Sequence, residues 1–369
     1  MNSKHIRNLL TTCVVVLWAG LTLCAWLKAP DAYSDAERRT LAQRPQLSAE
    51  NLRSGDYMSQ FDSYTTDQFP FRQWFRQLKA KFQYEILSQK DNNGIYLVDN
   101  VAAKLEYPLN HASVDHAISV FDGVYTRYLA NSDCQIYQAV VPDKGYYLAA
   151  ENGYPAMDYD TLAHRMATEL PWAHGIVLTD CLTSEDYYRT DTHWRQERLI
   201  KAAERLCKAM GTQSPDWDNY TPTPLEAPFY GVYYGQAAIP MEPETIYLME
   251  SNTLKACTVY NYETGKTTSV YDLEKTGSRD LYDIYLSGAA ALLRIDNPNA
   301  ATDRELIVFR DSFGSSMIPL LVQGYRTITL VDLRYMNSSM LGQFIEFVDQ
   351  DVLFLYSTLV LNNSNSLKG

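Results

Sequence analysis

The sequence predicts an α/β protein built on a buried parallel sheet that helices flank. Three apolar runs carry this prediction: Leu306 to Phe309, Ile328 to Val331 and Val352 to Val360. They are rich in Val, Ile, Leu and Phe without polar alternation, which is typical of parallel strands buried on both faces. A helical spacing of apolar residues between Arg195 and Met210 predicts a helix that covers such a sheet.

The composition agrees with one large folded domain or two moderate ones. Of 369 residues, 46% are hydrophobic and 28 are tyrosines, whereas disordered chains are poor in aromatic residues. With 32 Lys and Arg against 44 Asp and Glu, the net charge is −12. Because nucleic-acid binding depends on counterion release by basic side chains, we expect no nucleic-acid partner.

An uncharged apolar run follows the basic residues near the N-terminus. From Leu9 to Leu27 a helix reaches roughly 28 Å, close to the about 30 Å of a bilayer's hydrocarbon core. We therefore predict an uncleaved membrane anchor over residues 1–28, with the N-terminus inside and the bulk of the chain outside. A cleaved signal peptide is the alternative, although Trp26 and Lys28 stand where its cleavage site needs small residues.

Residues 29–55 are polar and predict a stalk, and residues 56–369 predict the exported domain. Aromatic residues at helical spacing over 71–86 predict a helix, and we expect its aromatic face to pack in the core rather than to form a second membrane-binding stripe. Residues 215–278 are rich in Tyr, Thr, Pro and Gly, which predicts an inserted β-rich segment with a hairpin turn at 263–266.

Further short strands are predicted at 136–141 and 175–178. The four cysteines outside the anchor show no C-x-x-C spacing, so they indicate neither a zinc site nor a redox motif. Disulfides and buried free thiols both remain open for them. These cysteines are Cys134, Cys181, Cys207 and Cys257.

One histidine has chemically suggestive surroundings. Asp191 and His193 stand two positions apart before the predicted helix, so the carboxylate can orient the imidazole as a base. By itself this spacing is a weak signal, because an Asp-x-His sequence more often forms only a local hydrogen bond in a loop. No second metal-binding side chain falls at ligand spacing nearby, and we expect neither a metal nor another cofactor.

A second candidate is the turn after the run ending at Phe309. Asp311, Ser312 and Gly314 follow a buried strand and precede a predicted helix, which is where α/β enzymes place a nucleophile beside free N–H groups. The alternative is that Asp311 or Ser312 only caps the helix. Together, Asp191, His193 and Ser312 can supply the three roles of a catalytic triad.

The combination of Asp191-Thr192-His193-Trp194 with a strand-Asp-Ser-Phe turn resembles the SGNH-hydrolase-like domains of the alginate O-acetylation proteins AlgJ and AlgX. It is even more similar to the DHHW group of bacterial envelope proteins. The resemblance extends over nearly the whole exported part of the chain, including 37–39, 69–72, 93–96, 141–144 and 351–358.

The resemblance implies a flavodoxin-like three-layer α/β/α sandwich in which the Asp-His pair precedes the serine. It implies that Asp191 orients, His193 is the general base and Ser312 is the nucleophile. Thr192 stands where the DHHW group has histidine, a position outside the triad. Gly288 is the candidate oxyanion element but lacks a neighbouring asparagine, so the N–H groups of Ser312 and Gly314 are expected to serve instead.

Further substrate candidates follow strand ends or flank the site. Possible contacts for an acidic sugar or the acyl intermediate are Arg310, Arg334 and Lys144. Each could instead form a structural ion pair, which for the arginines would involve Asp332 or Asp311. Tyr188 and Trp194 could form a platform for sugar rings, or could be buried core residues.

The resemblance implies an O-acetyltransferase that modifies an envelope or secreted polysaccharide through an acyl-serine, at the bacterial cytoplasmic membrane. It also implies a membrane-bound O-acyltransferase partner that exports the acyl group. A carbohydrate esterase with the same triad is one alternative. A non-catalytic glycan-binding or assembly module is another. Its sign would be a triad whose members lie beyond hydrogen-bond reach, or a crevice that residues 215–278 block.

Overall fold

The computed structural model describes residues 3–34 and 36–369. Residues 1, 2 and 35, which belong to the predicted anchor and stalk, lie outside the described residues. The α-helices are α1 Ser3–Leu27, α2 Ala49–Ser54, α3 Asp56–Asp67, α4 Arg72–Lys81, α5 His111–Val124, α6 Lys144–Leu148, α7 Tyr159–Glu169, α8 Ile200–Ala209, α9 Val232–Ala237, α10 Asn252–Ala256, α11 Gly314–Met317 and α12 Thr358–Asn362. The strands are β1 Tyr33–Ser34, β2 Arg39–Thr40, β3 Asp91–Asn92, β4 Ile95–Val98, β5 Val101–Lys104, β6 Gln135–Val141, β7 His174–Ile176, β8 Thr221–Phe229, β9 Glu244–Glu250, β10 Thr258–Asn261, β11 Lys266–Thr268, β12 Leu292–Asp296, β13 Glu305–Arg310, β14 Thr327–Val331 and β15 Asp351–Ser357.

The chain divides into two compact units. The first comprises Met1–Asn92 with Gly235–Pro240, and the second comprises Asn93–Tyr234 with Met241–Gly369. In the first unit, α1 is an apolar helix with a mean hydropathy of 2.0 over its most apolar window, long enough to cross a membrane. Such a helix near the N-terminus is typical of a signal anchor or a signal peptide. The predicted boundaries at residues 28 and 55 stay predictions.

Ion pairs organise the rest of the first unit. Glu37, between the short strands β1 and β2, contacts Arg72 and Arg76 of α4, each at 2.8 Å. Arg39 donates two hydrogen bonds to Asp67 at the end of α3. The hydrogen bond from Arg39 lowers the pKa of Asp67 to about 2, although burial opposes the shift. The segment predicted as a stalk is therefore tied to α3 and α4 by charged side chains.

The helix predicted over 71–86 is confirmed, since α4 continues into a π-helical turn at Phe82–Ile86. The expectation that its aromatic face packs in the core is wrong. Trp74 is 57% exposed and Phe82 is 50% exposed. The reason is that the opposite side of the helix, which carries Arg72 and Arg76, makes the protein contacts through Glu37.

The second unit contains a mixed α/β fold around an eight-stranded, mostly parallel sheet. The strand order is β11-β10-β12-β14-β13-β15-β6-β7. The five strands from β14 to β7 run parallel, and β10, β11 and β12 add an antiparallel edge. The prediction of a parallel α/β sheet is thus confirmed for the strands that carry the apolar runs. The strand β12 pairs antiparallel with β14. It was not predicted, because no apolar run indicated it.

The segment 215–278 is only partly a separate insertion. β8 and β9 form their own antiparallel pair, whereas β10 and β11 extend the central sheet. The predicted hairpin turn is confirmed by the pairing of Asn261 with Lys266. The apolar run at 352–360 also crosses an element boundary, because β15 ends at Ser357, whose hydroxyl caps α12 by accepting from the N–H of Val360 at 3.3 Å.

Both faces of the sheet are covered. Leu306 and Val308 of β13 pack in a core cluster with α8, whereas Ile307 and Phe309 pack in a second cluster with α5 and α7. Successive side chains of a strand point to opposite faces, so these clusters lie on the two sides of the sheet. The carboxyl ends of the parallel strands β13, β15 and β6 meet at one edge, where ligands of open α/β sheets bind.

Candidate active site

The turn after β13 carries Ser312 at this edge. Asp311 is fully buried, and its carboxylate accepts hydrogen bonds from the N–H of Phe313 at 3.0 Å and of Ser357 at 2.7 Å. The carboxylate of Asp311 thus bonds within the turn and to the end of β15, which leaves the hydroxyl of the partly exposed Ser312 to other partners. The N-cap position of α11 is Phe313, without a side-chain cap, so neither Asp311 nor Ser312 caps this helix.

The loop before α8 brings His193 to that hydroxyl. Nε2 of His193 lies 2.8 Å from Oγ of Ser312, and Nδ1 lies 2.6 Å from Oδ1 of Asp191. The same carboxylate oxygen accepts from the backbone N–H of His193 at 3.0 Å. A carboxylate accepts only from a protonated Nδ1, so the neutral imidazole presents Nε2 as an acceptor to the serine. The three predicted residues form one hydrogen-bonded chain.

Aromatic side chains fix the imidazole in its plane. The ring of Tyr282 stacks on His193 with centroids 3.9 Å apart and an interplanar angle of 8°. The indole N–H of Trp194 donates to the carbonyl of Phe313 at 3.1 Å and to Oγ of Ser316 at 2.9 Å, which joins the histidine loop to the serine turn. Tyr282 is a residue that the sequence analysis missed, since no motif distinguishes it.

A hydrogen bond from the segment after β8 holds the carboxylate of Asp191 in place. Its Oδ2 accepts from the N–H of Val232 at 2.7 Å. Gly231 packs so closely that a Cβ there would lie 2.3 Å from the carbonyl oxygen of Thr190. Glu244 accepts from the N–H of Arg189 at 2.8 Å and of Thr190 at 2.7 Å. The sequence contains no signal that would have linked these positions to Asp191.

Lys144 points inward. Its ammonium donates to the carbonyls of Ala102, Tyr188 and Arg189, the last two at 2.9 and 3.4 Å. Desolvation by burial lowers its pKa to about 7, against the opposing charges of Asp191 and Glu244. The structure thus places this substrate candidate as a support of the histidine loop.

The two arginine candidates are engaged with the protein. Arg334 holds Asp332 with two hydrogen bonds of 2.9 and 2.7 Å, the ion-pair alternative of the sequence analysis. Arg310 is fully buried, donates to Oγ of Ser315 at 3.1 Å and lies 3.9 Å from Asp332. Neither guanidinium has a recorded contact with Ser312 or His193 among the described residues.

The glycine and aromatic candidates divide in a similar way. The N–H of Gly314 donates to the carbonyl of Asp311 at 3.1 Å, and that of Gly288 to the carbonyl of Tyr285 at 3.1 Å. In the described part of the chain no acceptor is recorded for the N–H of Ser312. Tyr188 and Trp194 are fully buried, so they match the core alternative and not a sugar platform.

The residues described hold no group of three or more His, Cys, Asp and Glu side chains that could bind a metal ion. All six cysteines are free thiols in the described structure, and Cys207 and Cys257 are buried.

A mostly parallel α/β sheet with a Ser-His-Asp chain at its carboxyl edge defines the class: an α/β protein with the site geometry of a serine hydrolase. Residues 178–331 match the model of the family described as DHHW protein. This match includes Asp191, His193 and Ser312, confirms the resemblance stated above, and identifies residues 178–331 as a DHHW-family region. No curated protein matches the sequence.

Two solved structures share the fold at low identity, and a third aligns with a lower score. A DHHW family protein from Eubacterium siraeum aligns with a TM-score of 0.60 and 20% identity, covering 76% of this chain and 97% of that one. Bacillus cereus PatB1 with a sulfonyl adduct aligns with a TM-score of 0.58 and 18% identity, covering 72% and 95%. The O-acetyltransferase domain of Pseudomonas putida AlgJ aligns with a TM-score of 0.46 and 14% identity, covering 73% and 92%.

Proposed function

We propose that this protein transfers an acyl group, foremost acetyl, to hydroxyls of a cell-envelope or secreted polysaccharide. The observation that carries the proposal is the pair of contacts at His193, 2.6 Å to Asp191 and 2.8 Å to Ser312. One of the two signs of a non-catalytic module, a triad out of hydrogen-bond reach, is not found in the described residues. The proposed fold class is the flavodoxin-like, SGNH-hydrolase-like α/β/α sandwich.

In the proposed mechanism, Oγ of Ser312 attacks the carbonyl carbon of an acyl donor while Nε2 of His193 takes its proton. The tetrahedral oxyanion collapses, the donor's leaving group departs with that proton, and an acyl-serine remains. A sugar hydroxyl then attacks the acyl carbon and gives its proton to His193. The bond between the acyl carbon and Oγ of Ser312 breaks, Oγ takes that proton from His193, and the acylated sugar leaves. Asp191 keeps Nδ1 protonated and stabilises the imidazolium.

The backbone N–H of Ser312 is the proposed first donor to the oxyanion. The N–H of Gly314 already donates to the carbonyl of Asp311, so its use would require that bond to break. The contacts of Gly288, Arg310, Arg334 and Lys144 described above favour structural roles for these residues.

The proposed location is the outer side of the bacterial cytoplasmic membrane, with residues 1–28 as the anchor, 29–55 as the stalk and 56–369 as the exported domain. The apolar helix α1 supports this arrangement. An anchored domain remains close to a membrane-bound O-acyltransferase, the proposed source of the acyl group, by effective concentration.

The test is intact-mass analysis of the full-length protein in detergent after exposure to 4-nitrophenyl acetate. We expect one acetyl adduct on the wild type and on the control Ser269→Ala, an exposed serine, and none on Ser312→Ala. A sulfonyl fluoride should label the same side chain, a probe suggested by the sulfonyl adduct of PatB1.

The fate of the adduct separates transfer from hydrolysis. Faster loss to added oligosaccharide than to water supports the transferase. Rapid serine-dependent release of acetate without sugar would instead identify an esterase. A folded wild type without adduct or turnover would contradict both and leave the glycan-binding module.

A further inference from the structure

The first unit exposes an unusual apolar surface. Five apolar side chains lie along one side of α4, its N-cap residue and its π-helical extension, and each is 49% to 65% exposed: Phe71, Trp74, Leu78, Phe82 and Ile86. We call these five residues the aromatic face. Single exposed apolar residues are common on ordinary protein surfaces, whereas a contiguous group of them marks a binding site for a protein or a membrane.

The aromatic face is held outward by the ion pairs on the other side of the helix. Glu37 contacts Arg72 and Arg76, which stand on adjacent turns. Both arginines are less than 20% exposed in their side chains, so these contacts are largely removed from solvent. Turning the aromatic residues inward would break both contacts and leave Glu37 with Arg39 as its remaining counter-charge, which is costly for a largely buried carboxylate.

The helix also begins close to the end of α1. Asp31, four positions after Leu27, exchanges two hydrogen bonds of 2.8 Å with the side chain of Gln68, four positions before Arg72. Hydrogen bonds thus join the segment just after α1 to the segment just before α4. A membrane crossed by α1 therefore has its headgroups near the beginning of the aromatic face.

The charge of this segment differs from that of the chain. Residues 72–90 contain five basic side chains and one acidic side chain, in a protein with a net charge of −12. Basic amphipathic helices with Trp, Phe and Leu on the apolar side are typical of interfacial helices, and their lysines attract anionic lipid headgroups.

Resting on the membrane location in the proposed function, we propose that the aromatic face lies in the interface of an anionic bilayer, the one that α1 spans. The apolar side chains enter the boundary between headgroups and acyl chains, and Lys79 and Lys81 face the headgroups. The first unit then has two membrane attachments, a spanning helix and an interfacial one, which confine it to the membrane surface.

The test uses Trp74 as reporter in the full-length protein, reconstituted in vesicles of phosphatidylethanolamine with phosphatidylglycerol. The variant Trp18→Phe/Trp26→Phe removes the tryptophans of the span. The further change Trp74→Phe then isolates the emission of Trp74 by difference. Lipids brominated high in the acyl chain should quench this emission by about half or more, since interfacial helices bury about 5–10 Å into the boundary.

Two variants sharpen the result. Phe82→Glu places a charge on the aromatic face and should lower the quenching of Trp74, because a charge there opposes insertion. The control Trp217→Phe changes a tryptophan of the other unit and should leave the Trp74 difference unchanged. Folding of each variant is checked by circular dichroism in the same vesicles.

Water-like, unquenched Trp74 emission would overturn the proposal, since the face would then remain in solvent. Blue-shifted but unquenched emission would also overturn it, because protein and not lipid would cover the face. Loss of α1, detected by intact mass, would remove the attachment on which the proposal rests and count against it. Acetylation of Ser312 by the soluble ester, measured in the same vesicles, reports the proposed function separately.

Discussion

The serine turn and the histidine loop meet at the hydrogen bond between Ser312 and His193 and at the hydrogen bonds of Trp194, yet they are held in different ways. The serine turn is positioned by its own strand and its immediate neighbour in the sheet, through Asp311 and the N–H of Ser357. The histidine loop is positioned by side chains and backbone groups from distant parts of the chain, including Val232, Glu244 and Lys144. The position of Ser312 is therefore set by the sheet, and the position of His193 depends on long-range contacts.

This difference has a consequence for substitutions. Changes in contacts that hold the histidine loop should reduce catalysis while leaving the sheet and the serine turn intact. Changes within the triad should slow formation of the acyl-enzyme most, and loss of Ser312 should abolish it. The expected effects below run from the triad outward through the supports of the loop.

The largest effect is expected for Asp191→Asn. The asparagine amide has one accepting oxygen and one donating NH2 group, whereas the carboxylate accepts at both oxygens. The imidazole therefore loses the partner that keeps Nδ1 protonated and Nε2 free to accept from Ser312. We expect the rate of acetyl-serine formation to fall by about 10³–10⁴-fold. The rate is measured by intact mass against time, with Asp180→Asn, an exposed carboxylate that pairs with Arg205, as control. Wild-type rates for Asp191→Asn would contradict the triad.

The next effect is expected for Gly231→Ala. The new Cβ would lie 2.3 Å from the carbonyl oxygen of Thr190 and 2.4 Å from Cα of Asp191, so the backbone of the histidine loop must shift. A displacement of about 1 Å in a catalytic group can cost about 10²-fold in rate. Crystallography or nuclear magnetic resonance of the variant should show the serine turn unchanged.

Gly123→Ala is the matched control, because a Cβ at this exposed helical position meets nothing within 4 Å. It should retain the rate and gain about 0.5–1 kcal/mol of stability. Equal rates for both glycine variants would show that the close packing of Gly231 does not position Asp191.

A smaller effect is expected for Glu244→Gln. The carboxylate accepts from two adjacent backbone N–H groups and from the hydroxyl of Thr190 at 2.7 Å. The glutamine amide supplies only one accepting oxygen, so its NH2 group faces a backbone N–H that the second carboxylate oxygen had bound. This costs about 1–3 kcal/mol of interaction free energy. We expect a rate reduction of about tenfold, measured with the same ester. Glu250→Gln, which breaks the more exposed ion pair with Lys255, should keep the wild-type rate.

The last prediction concerns the pH dependence of stability through Lys144. Burial lowers its pKa to about 7, whereas a lysine in the unfolded chain titrates near about 10.4. Between these values the unfolded state keeps a proton that the folded state has released, so stability rises with pH across the window. Relative to Lys144→Met, the free energy of unfolding should increase by at most about 1.4 kcal/mol per pH unit.

This stability difference is measured by urea unfolding of both full-length proteins in detergent, at several values between about pH 7 and pH 10. The comparison cancels the titration of the groups that both proteins share. A difference that stays constant across the window would mean that Lys144 titrates as an ordinary lysine in the folded protein.

The sequence by itself determined the features that local chemistry encodes. Runs such as Ile328 to Val331 and Leu306 to Phe309 carry no polar alternation, and both are strands of the parallel part of the sheet. The spacing of Asp191 and His193, and a serine at a strand-to-helix turn, indicated three side chains that the structure brings together. Short-range geometry determined each of these features, so a single segment was enough to predict it.

Only the tertiary structure decided what covers each face and which distant groups meet. Apolar periodicity over 71–86 showed which side chains share a side of the helix, but not that this side would remain exposed. Lys144 follows a strand end like a ligand residue, yet the carbonyls of Ala102 and Tyr188 draw it inward. Gly231 lies about 40 positions from Asp191, and such contacts leave no local pattern because they arise when the chain closes on itself.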